Sequence, residues 1–263
     1  MVLSRRLLFR SAFWELARPR HPLTAGHVVL RLSDPSVEFT ESSAADWLYC
    51  HGLARTALRE VLGASRCSVM FAHLWHPLGD AVGEPVAESS TPTFHLFARW
   101  HGETTTPGRQ LALPAYRRVA EPEEDLDLVD HRLRESVRAA ASGLQAPLPG
   151  PGGGAEPGAG VVPDAQHAPL VATVDAGRNH LVFEPASGAP GIADVLPGEL
   201  VALGAALGSL PLSSRSSGYS CVAVEAPDPG GSLRVHAVGR SAAEEASPML
   251  DVFRLPEVSL ALL

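Results

Sequence analysis

The chain has 263 residues, of which 45% are hydrophobic and 19% are charged, and its formal net charge is -8. This length is sufficient for one large or two small globular domains. All 21 basic residues are arginines, which excludes the lysine of a phosphate-binding loop and a Schiff-base lysine. The excess of acidic over basic residues argues against nucleic-acid binding, which needs a concentrated basic face. No apolar run approaches the roughly 18 residues of a membrane span, so we expect neither nucleic acid nor membrane as a partner.

The cysteines Cys50, Cys67 and Cys221 have neither the CxxC nor the cysteine–histidine spacing of metal sites. Cys50 and Cys221 lie in apolar segments, where a buried free thiol is usual. Arginines interrupt the apolar residues at positions 1–16, which is not the pattern of a signal peptide. We therefore expect a cytoplasmic protein with reduced thiols and no cofactor.

In the first half of the chain, the pattern predicts a strand over residues 7–16 and another over 27–32. Thr40 or Ser43 can cap a helix that continues to Leu62 and ends at Gly63, because apolar residues recur at three- and four-residue spacing. The remaining predicted elements of this half are strands over 67–72 and 93–100, a loop over 76–92, and a helix from the acidic stretch 121–127 to Gly143.

Residues 144–169 are almost entirely glycine, proline and alanine, which predicts a disordered linker. It separates an N-terminal domain, 1–143, from a smaller C-terminal domain, 170–263. The second half repeats the order of the first, with predicted strands over 171–174, 180–184, 219–225 and 233–239 and helices from Pro197 and over 256–263. Strands and helices without strict βαβ alternation favour an α+β fold with an antiparallel sheet.

An internal repeat relates the two halves. His27, after a glycine, matches His180, and the pattern His, two mostly apolar residues, a small residue and Arg occurs at 95–99 and 236–240. The matched histidines are 68 residues apart in the first half and 56 in the second. Landmarks repeated in the same order favour a duplicated domain.

At these residues the chain resembles the histidine-triad superfamily, in which a glycine-preceded strand, a long helix and a histidine-rich strand ending in arginine follow one another. Residues 24–29 and 57–63 look like the first two parts. The duplication is similar to the branch of galactose-1-phosphate uridylyltransferase and diadenosine-tetraphosphate phosphorylase, and residues 255–263 look like its closing helix. The resemblance implies two tandem α+β units that form a pseudo-dimer, with antiparallel sheets and helices packed on one face.

The resemblance also implies a protein that acts on a nucleotide or sugar phosphate, by nucleotidyl transfer or phosphoester cleavage. With His95 at the last triad position, Thr93 occupies the middle position, where the family has its nucleophile. A second register puts His95 in the middle, but it loses the match between Arg99 and Arg240. The triad is eroded in both halves, so an inactive ligand-binding or interaction module and a repurposed enzyme of unrelated chemistry stay open.

His95 and Thr93 are therefore the candidate catalytic residues. The candidates for binding a phosphate or nucleotide ligand are Arg99, His27, Gly79, Gly83, Trp100, His236 and Arg240. Each of these also has an ordinary structural role, such as a satisfied strand histidine or a solvated arginine. His73 and His76 are weak metal candidates, because no cysteine or carboxylate spacing accompanies them, and we expect no metal. A homodimer is compatible with the sequence.

Overall fold

The computed structural model describes residues 6–76, 80–87, 91–119, 123–143, 165–175, 177, 179–210, 212, 216–228 and 230–263. The predicted linker lies outside these residues except at its end, where Ala165–His167 forms a 3-10 turn. Gly79 also lies outside the described residues.

The strands of both halves join in one nine-stranded antiparallel sheet within the described residues, in the order β1-β2-β3-β5-β4-β8-β9-β7-β6. The strands are β1 (Leu7–Arg10), β2 (Trp14–Ala17), β3 (His27–Leu32), β4 (Arg66–His73), β5 (Thr93–Arg99), β6 (Leu170–Asp175), β7 (His180–Glu184), β8 (Gly218–Val224) and β9 (Arg234–Arg240).

Helices pack on this sheet, and together they confirm the predicted α+β class. They are α1 (Glu41–Leu62), α2 (Pro107–Leu111), α3 (Glu123–Gly143), α4 (Pro197–Gly208), α5 (Met249–Val252) and α6 (Pro256–Leu262). In the described part of the chain, no helix is long and apolar enough to cross a membrane.

The bounds of α1 agree with the sequence pattern. The Thr40 side chain accepts a hydrogen bond from the backbone N–H of Ser43, and the Ser43 hydroxyl accepts one from the backbone N–H of Thr40. Both backbone N–H groups at the start of the helix therefore have partners. Gly63 ends the helix with φ at 72°, a left-handed conformation that favours glycine.

The single strand predicted over residues 7–16 is wrong, because the chain turns between β1 and β2. The Asp46 carboxylate on α1 accepts hydrogen bonds from the Ser11 hydroxyl and the Phe13 backbone N–H, both at 2.7 Å. These bonds hold a tight turn, and β1 and β2 pair as an antiparallel hairpin. Apolar residues continue through the turn, so the sequence pattern does not mark it.

The strands next to the two central strands, β4 and β8, are arranged in equivalent ways on the two sides of the sheet. Met70 on β4 pairs with Val222 on β8, and each is also the register partner of a histidine, His95 on β5 and His236 on β9. Further out, β3 and β7 take equivalent places. The two halves therefore meet edge to edge in one continuous sheet.

The two faces of the sheet carry different cores. The face that we call the major face packs against α1, α3 and α4. The opposite, minor face is covered by α2, α5 and α6, whose buried side chains include Leu111, Met249, Val258 and Leu262. Burying each such side chain stabilises the fold by about 1.5–3 kcal/mol, so these short helices are an integral part of the core.

Candidate functional site

The first histidine pair joins β3 to β5 on the minor face. Nε2 of His27 lies 3.0 Å from Nδ1 of His95, and the Leu23 backbone N–H donates to Nδ1 of His27 at 3.1 Å. Because Nδ1 of His27 accepts, its proton is on Nε2, which donates to His95. The neutral His95 ring therefore accepts at Nδ1 and carries its own proton on Nε2.

The second pair joins β7 to β9 in the same way, with Nε2 of His180 3.1 Å from Nδ1 of His236. The register is also the same: Val29 faces His95, and Val182 faces His236. Nε2 of His236 is buried without a hydrogen-bond partner in the described part of the chain, 3.6 Å from a Glu257 carboxylate oxygen on α6.

Burial keeps these histidines neutral. It lowers the pKa of His95 to about 3 and that of His236 to about 4, and it also lowers the pKa of His27 and His180. At neutral pH the later histidine of each pair is therefore an uncharged ring with its Nδ1 lone pair already engaged.

The sequence-predicted catalytic residues occupy a site unsuited to nucleophilic attack. A histidine attacks through a ring nitrogen with a free lone pair, but Nδ1 of His95 accepts a hydrogen bond and its Nε2 is protonated. The Thr93 hydroxyl donates to the Thr91 carbonyl at 3.0 Å. In this arrangement His95 can donate a hydrogen bond to a ligand.

Both candidate phosphate-binding arginines are paired with carboxylates. Arg99 forms an ion pair with Glu103, and Arg240 forms ion pairs with Glu84 and Glu244. The spacing from arginine to glutamate is four residues in each half, which extends the repeat beyond the arginine. This signal was present in the sequence, but sequence reasoning missed it.

The Glu84 carboxylate is the centre of a buried polar cluster near the start of β8. It accepts hydrogen bonds from the Ser220 hydroxyl, from Arg240, and from the Trp75 indole N–H at 3.1 Å. The guanidinium of Arg240 also lies 5.0 Å from the centre of the Trp75 ring. Burial raises the pKa of Glu84, against the opposing effect of Arg240. The cluster ties residues 80–87 of the first half to strands of the second.

Two other predicted binding residues serve packing. Gly83 has φ at 83°, and a Cβ there would lie 2.6 Å from the Ser247 hydroxyl and 3.0 Å from Cβ of Met249. Trp100 is half-buried, and its ring packs on Gly26. Because Gly83 has no side chain, the segment that precedes α5 can approach it closely.

His73 and His76 lie at and beyond the end of β4. No cluster of three or more histidine, cysteine or carboxylate residues suited to a metal occurs in the part of the chain that the structure describes. Burial lowers the pKa of His73.

The three cysteines are free and buried, and burial raises the pKa of Cys50 and Cys67 to about 12.

A cleft of about 820 Å³ lies between the major face and the helices α1 and α4, and at the end of the sheet, where β4 stops and β5 starts, its lining includes the minor-face residues Met70, His95 and Ser220. Its walls are mainly apolar and aromatic, and they bring together segments far apart in sequence. Its lining includes Trp47, Phe71, Phe94, His95, Gly204 and Glu84. Its volume and lining fit the range of small-molecule sites. Of the predicted site residues, His95, Thr93, His73 and His76 line it.

No protein-family model and no curated protein matches the chain. Among solved structures, it is similar to a HIT-like protein involved in cell-cycle regulation from Bartonella henselae, crystallised with an unknown ligand. The identity is 13%, the similarity covers 49% of this chain and 85% of that chain, and the TM-score is 0.30. A similarity at this level assigns no function to the chain.

Proposed function

We propose that the protein binds a small molecule in the cleft and is built on a duplicated histidine-triad-like fold. In this proposal His95 is not a nucleophile, because its Nδ1 already accepts a hydrogen bond from His27. The observation that carries it is the cleft of about 820 Å³, whose walls are mainly apolar and aromatic and whose volume fits a small molecule.

The matched registers of the two halves support the duplication. The two histidine pairs join equivalent strands with ring nitrogens 3.0 and 3.1 Å apart, and an arginine–glutamate pair follows each later histidine. The sequence resemblance to the histidine-triad superfamily adds the order of the elements. In this view the C-terminal half, which lacks the full triad, serves as a structural scaffold.

The charges favour ligand binding over phosphate chemistry. No arginine is among the described residues that line the cleft, and Arg99 and Arg240 are both held by glutamates. A phosphate needs cationic or backbone N–H donors that are free to contact it. Each of these arginines already donates to a carboxylate.

Filling the cleft tests the proposal. Gly204 lies on α4 and lines the cleft, and a Cβ there would make an ordinary contact, 3.5 Å from the Phe39 ring. We expect Gly204→Leu to weaken binding of the neutral fluorescent probe N-phenyl-1-naphthylamine at least about tenfold, because the new side chain occupies the ligand's volume. Fluorescence titration measures the dissociation constant.

Gly208→Leu is the matched control. Gly208 lies on the same helix, is exposed, and has no atom within 4 Å of a Cβ placed there, so the control should bind the probe like the unmodified protein. Equal binding by all three proteins, or no binding by any, would show that the cleft is not the site.

Nucleotidyl transfer is the second candidate function, and the equivalent placement of the two histidine pairs favours it. It predicts turnover of a nucleotide sugar and a covalent nucleotidyl adduct on His95, which mass spectrometry of the intact protein detects. We expect neither. Turnover that His95→Ala abolishes would replace the binding proposal with this one.

A further inference from the structure

We infer that the ligand of the cleft is an uncharged, hydrocarbon-rich molecule that lies on the major face of the sheet, between the aromatic side chains of β4 and β5 and the helix α4. The inference rests on the proposed function and specifies its ligand class. Three features carry it: the separation of apolar from polar lining residues, a cluster of rings on the major face, and an apolar entrance.

The lining of the cleft divides into an apolar part and a polar part. Side chains alternate along a strand, so Phe94 lies on the major face while its neighbour His95 lies on the minor face beside Met70. Ser220 is also on the minor face, and it donates to Glu84. The histidines and threonines that remain lie at or beyond the ends of β4 and β5: His73, His76, Thr91 and Thr93.

The part of the cleft on the major face is apolar. Apart from the polar residues just named and Trp75, the described lining residues are all apolar or aromatic. We call this part the apolar compartment; its lining includes Trp47, Phe71, Phe94, Leu203 and Val235.

A cluster of rings forms the wall of the apolar compartment. The Phe94 ring lies at its centre, with ring centroids 5.2 Å from Phe71, 5.3 Å from Trp47 and 5.7 Å from Trp14. All four side chains line the cleft and belong to the core of the major face. Burial of a hydrocarbon against such rings is favourable in proportion to the apolar area removed from water.

The apolar compartment offers no partner to a charged group. The indole N–H of Trp14 donates to the Ser43 carbonyl at 2.8 Å, and that of Trp47 is enclosed by protein. No arginine is among the described lining residues, and the Glu84 carboxylate is already paired with Arg240. An ion in the compartment would therefore lose its hydration without gaining a counter-ion, which is costly.

The loop between β3 and α1 makes the entrance apolar as well. Pro35 and Phe39 line the cleft and are also exposed to solvent, Phe39 by 36%. Side chains that both line a cleft and face solvent mark its opening. Asp34 and Glu38 are exposed in the same loop, so the charges next to the entrance repel an anion.

A series of naphthalenes with matched shape and different charge tests the inference. The probes are 2-isopropylnaphthalene, the anion 2-naphthoate and the cation 2-naphthamidinium, each measured by displacement of N-phenyl-1-naphthylamine. We expect the hydrocarbon to bind at least about tenfold more tightly than either ion, because only the ions lose favourable hydration in the compartment. Equal binding of the three probes by the unmodified protein, or tightest binding of an ion, would overturn this inference and leave the cleft as the site.

Leu200→Arg places a counter-ion in the compartment. Leu200 lies on α4, lines the cleft and is half-buried. We expect this variant to raise the affinity for naphthoate relative to the hydrocarbon at least about tenfold, because the guanidinium can donate to the carboxylate.

Leu196→Arg is the matched control. Leu196 precedes the same helix, is 51% exposed and is not among the described lining residues, so the same charge there should leave the relative affinities unchanged. Equal relative affinities in both variants would overturn the inference. Displacement by none of the probes would also overturn it, and if Gly204→Leu then leaves binding of the fluorescent probe unchanged, the proposed function fails with it.

Discussion

His51 on α1 is fully buried and stacks on Trp47 with ring centroids 5.3 Å apart. Neither of its ring nitrogens has a hydrogen-bond partner in the described residues, and burial lowers its pKa to about 3. A buried polar group without a partner costs about 1–3 kcal/mol. Nothing in the structure explains why a histidine occupies this position, and its effect on stability can be measured.

The buried histidine makes stability depend on pH. Between its ordinary pKa of 6.5 and the folded value of about 3, the unfolded chain binds a proton at His51 that the folded chain excludes. Stability therefore falls as the pH drops through this window, and His51 alone removes about 2 kcal/mol by pH 5. Urea unfolding at pH 7 and pH 5 measures the free energy.

His51→Phe isolates this contribution. The variant keeps a ring on Trp47 and removes both unpaired nitrogens, so we expect it to be about 1 kcal/mol more stable at pH 7. Its loss of stability between pH 7 and pH 5 should be smaller than that of the unmodified protein by up to about 2 kcal/mol. An unchanged pH dependence would mean that His51 is protonated or solvated in the folded protein.

At the scale of the elements, one buried ion pair holds α3 on the sheet. Arg18, directly after β2, donates from Nε and Nη2 to the Asp130 carboxylate at 2.9 and 2.7 Å. Its Nη1 donates to the carbonyls of Ala25 and His27, at the start of β3. The side chains of Arg18 and Asp130 are only 4% and 6% exposed, so each depends on the other. The pair links α3 to the strand that carries His27.

Asp130→Asn should cost about 3–5 kcal/mol of folding free energy, because it leaves the Arg18 guanidinium buried without a counter-ion. Asp127→Asn is the control, since Asp127 is exposed on the same helix and should change stability by no more than about 0.5 kcal/mol. Chemical unfolding compares them, and equal stability of the two variants would mean that Arg18 is solvated.

At the scale of the whole molecule, the two halves share one sheet and several buried contacts. The backbones of β4 and β8 pair from Val69 with Ala223 to His73 with Tyr219. The buried ion pair of Glu84 and Arg240 also joins the halves. Separating them would expose a central strand edge on each side, which sheets avoid.

Cleavage of the chain between residues 143 and 165 should therefore leave the two pieces associated. A protease site inserted there, cut under native conditions, is expected to give pieces that elute together in gel filtration and separate only in denaturant. Pieces that separate without denaturant would show that each half is stable alone, and the shared sheet would then contribute little to stability.

The sequence by itself determined those elements whose signals are local. Thr40 and Gly63 marked the ends of α1, because capping depends on residues within one turn. The order of histidines in the two halves predicted equivalent strands, and each histidine pair is hydrogen-bonded. The turn between β1 and β2 was missed, because its stabilising carboxylate, Asp46, comes from a distant helix.

Only the tertiary structure decided what the candidate site residues contact. His95 was predicted to be chemically active, but the proton position on its ring depends on Leu23 and His27, which fold against it from another strand. Arg240 was predicted to bind phosphate, but Glu84, 156 residues away, neutralises it. The cleft also exists only because α1 and α4 pack on one face of the shared sheet. Charge pairing, proton position and cavity shape depend on contacts between distant segments, and sequence spacing does not specify those contacts.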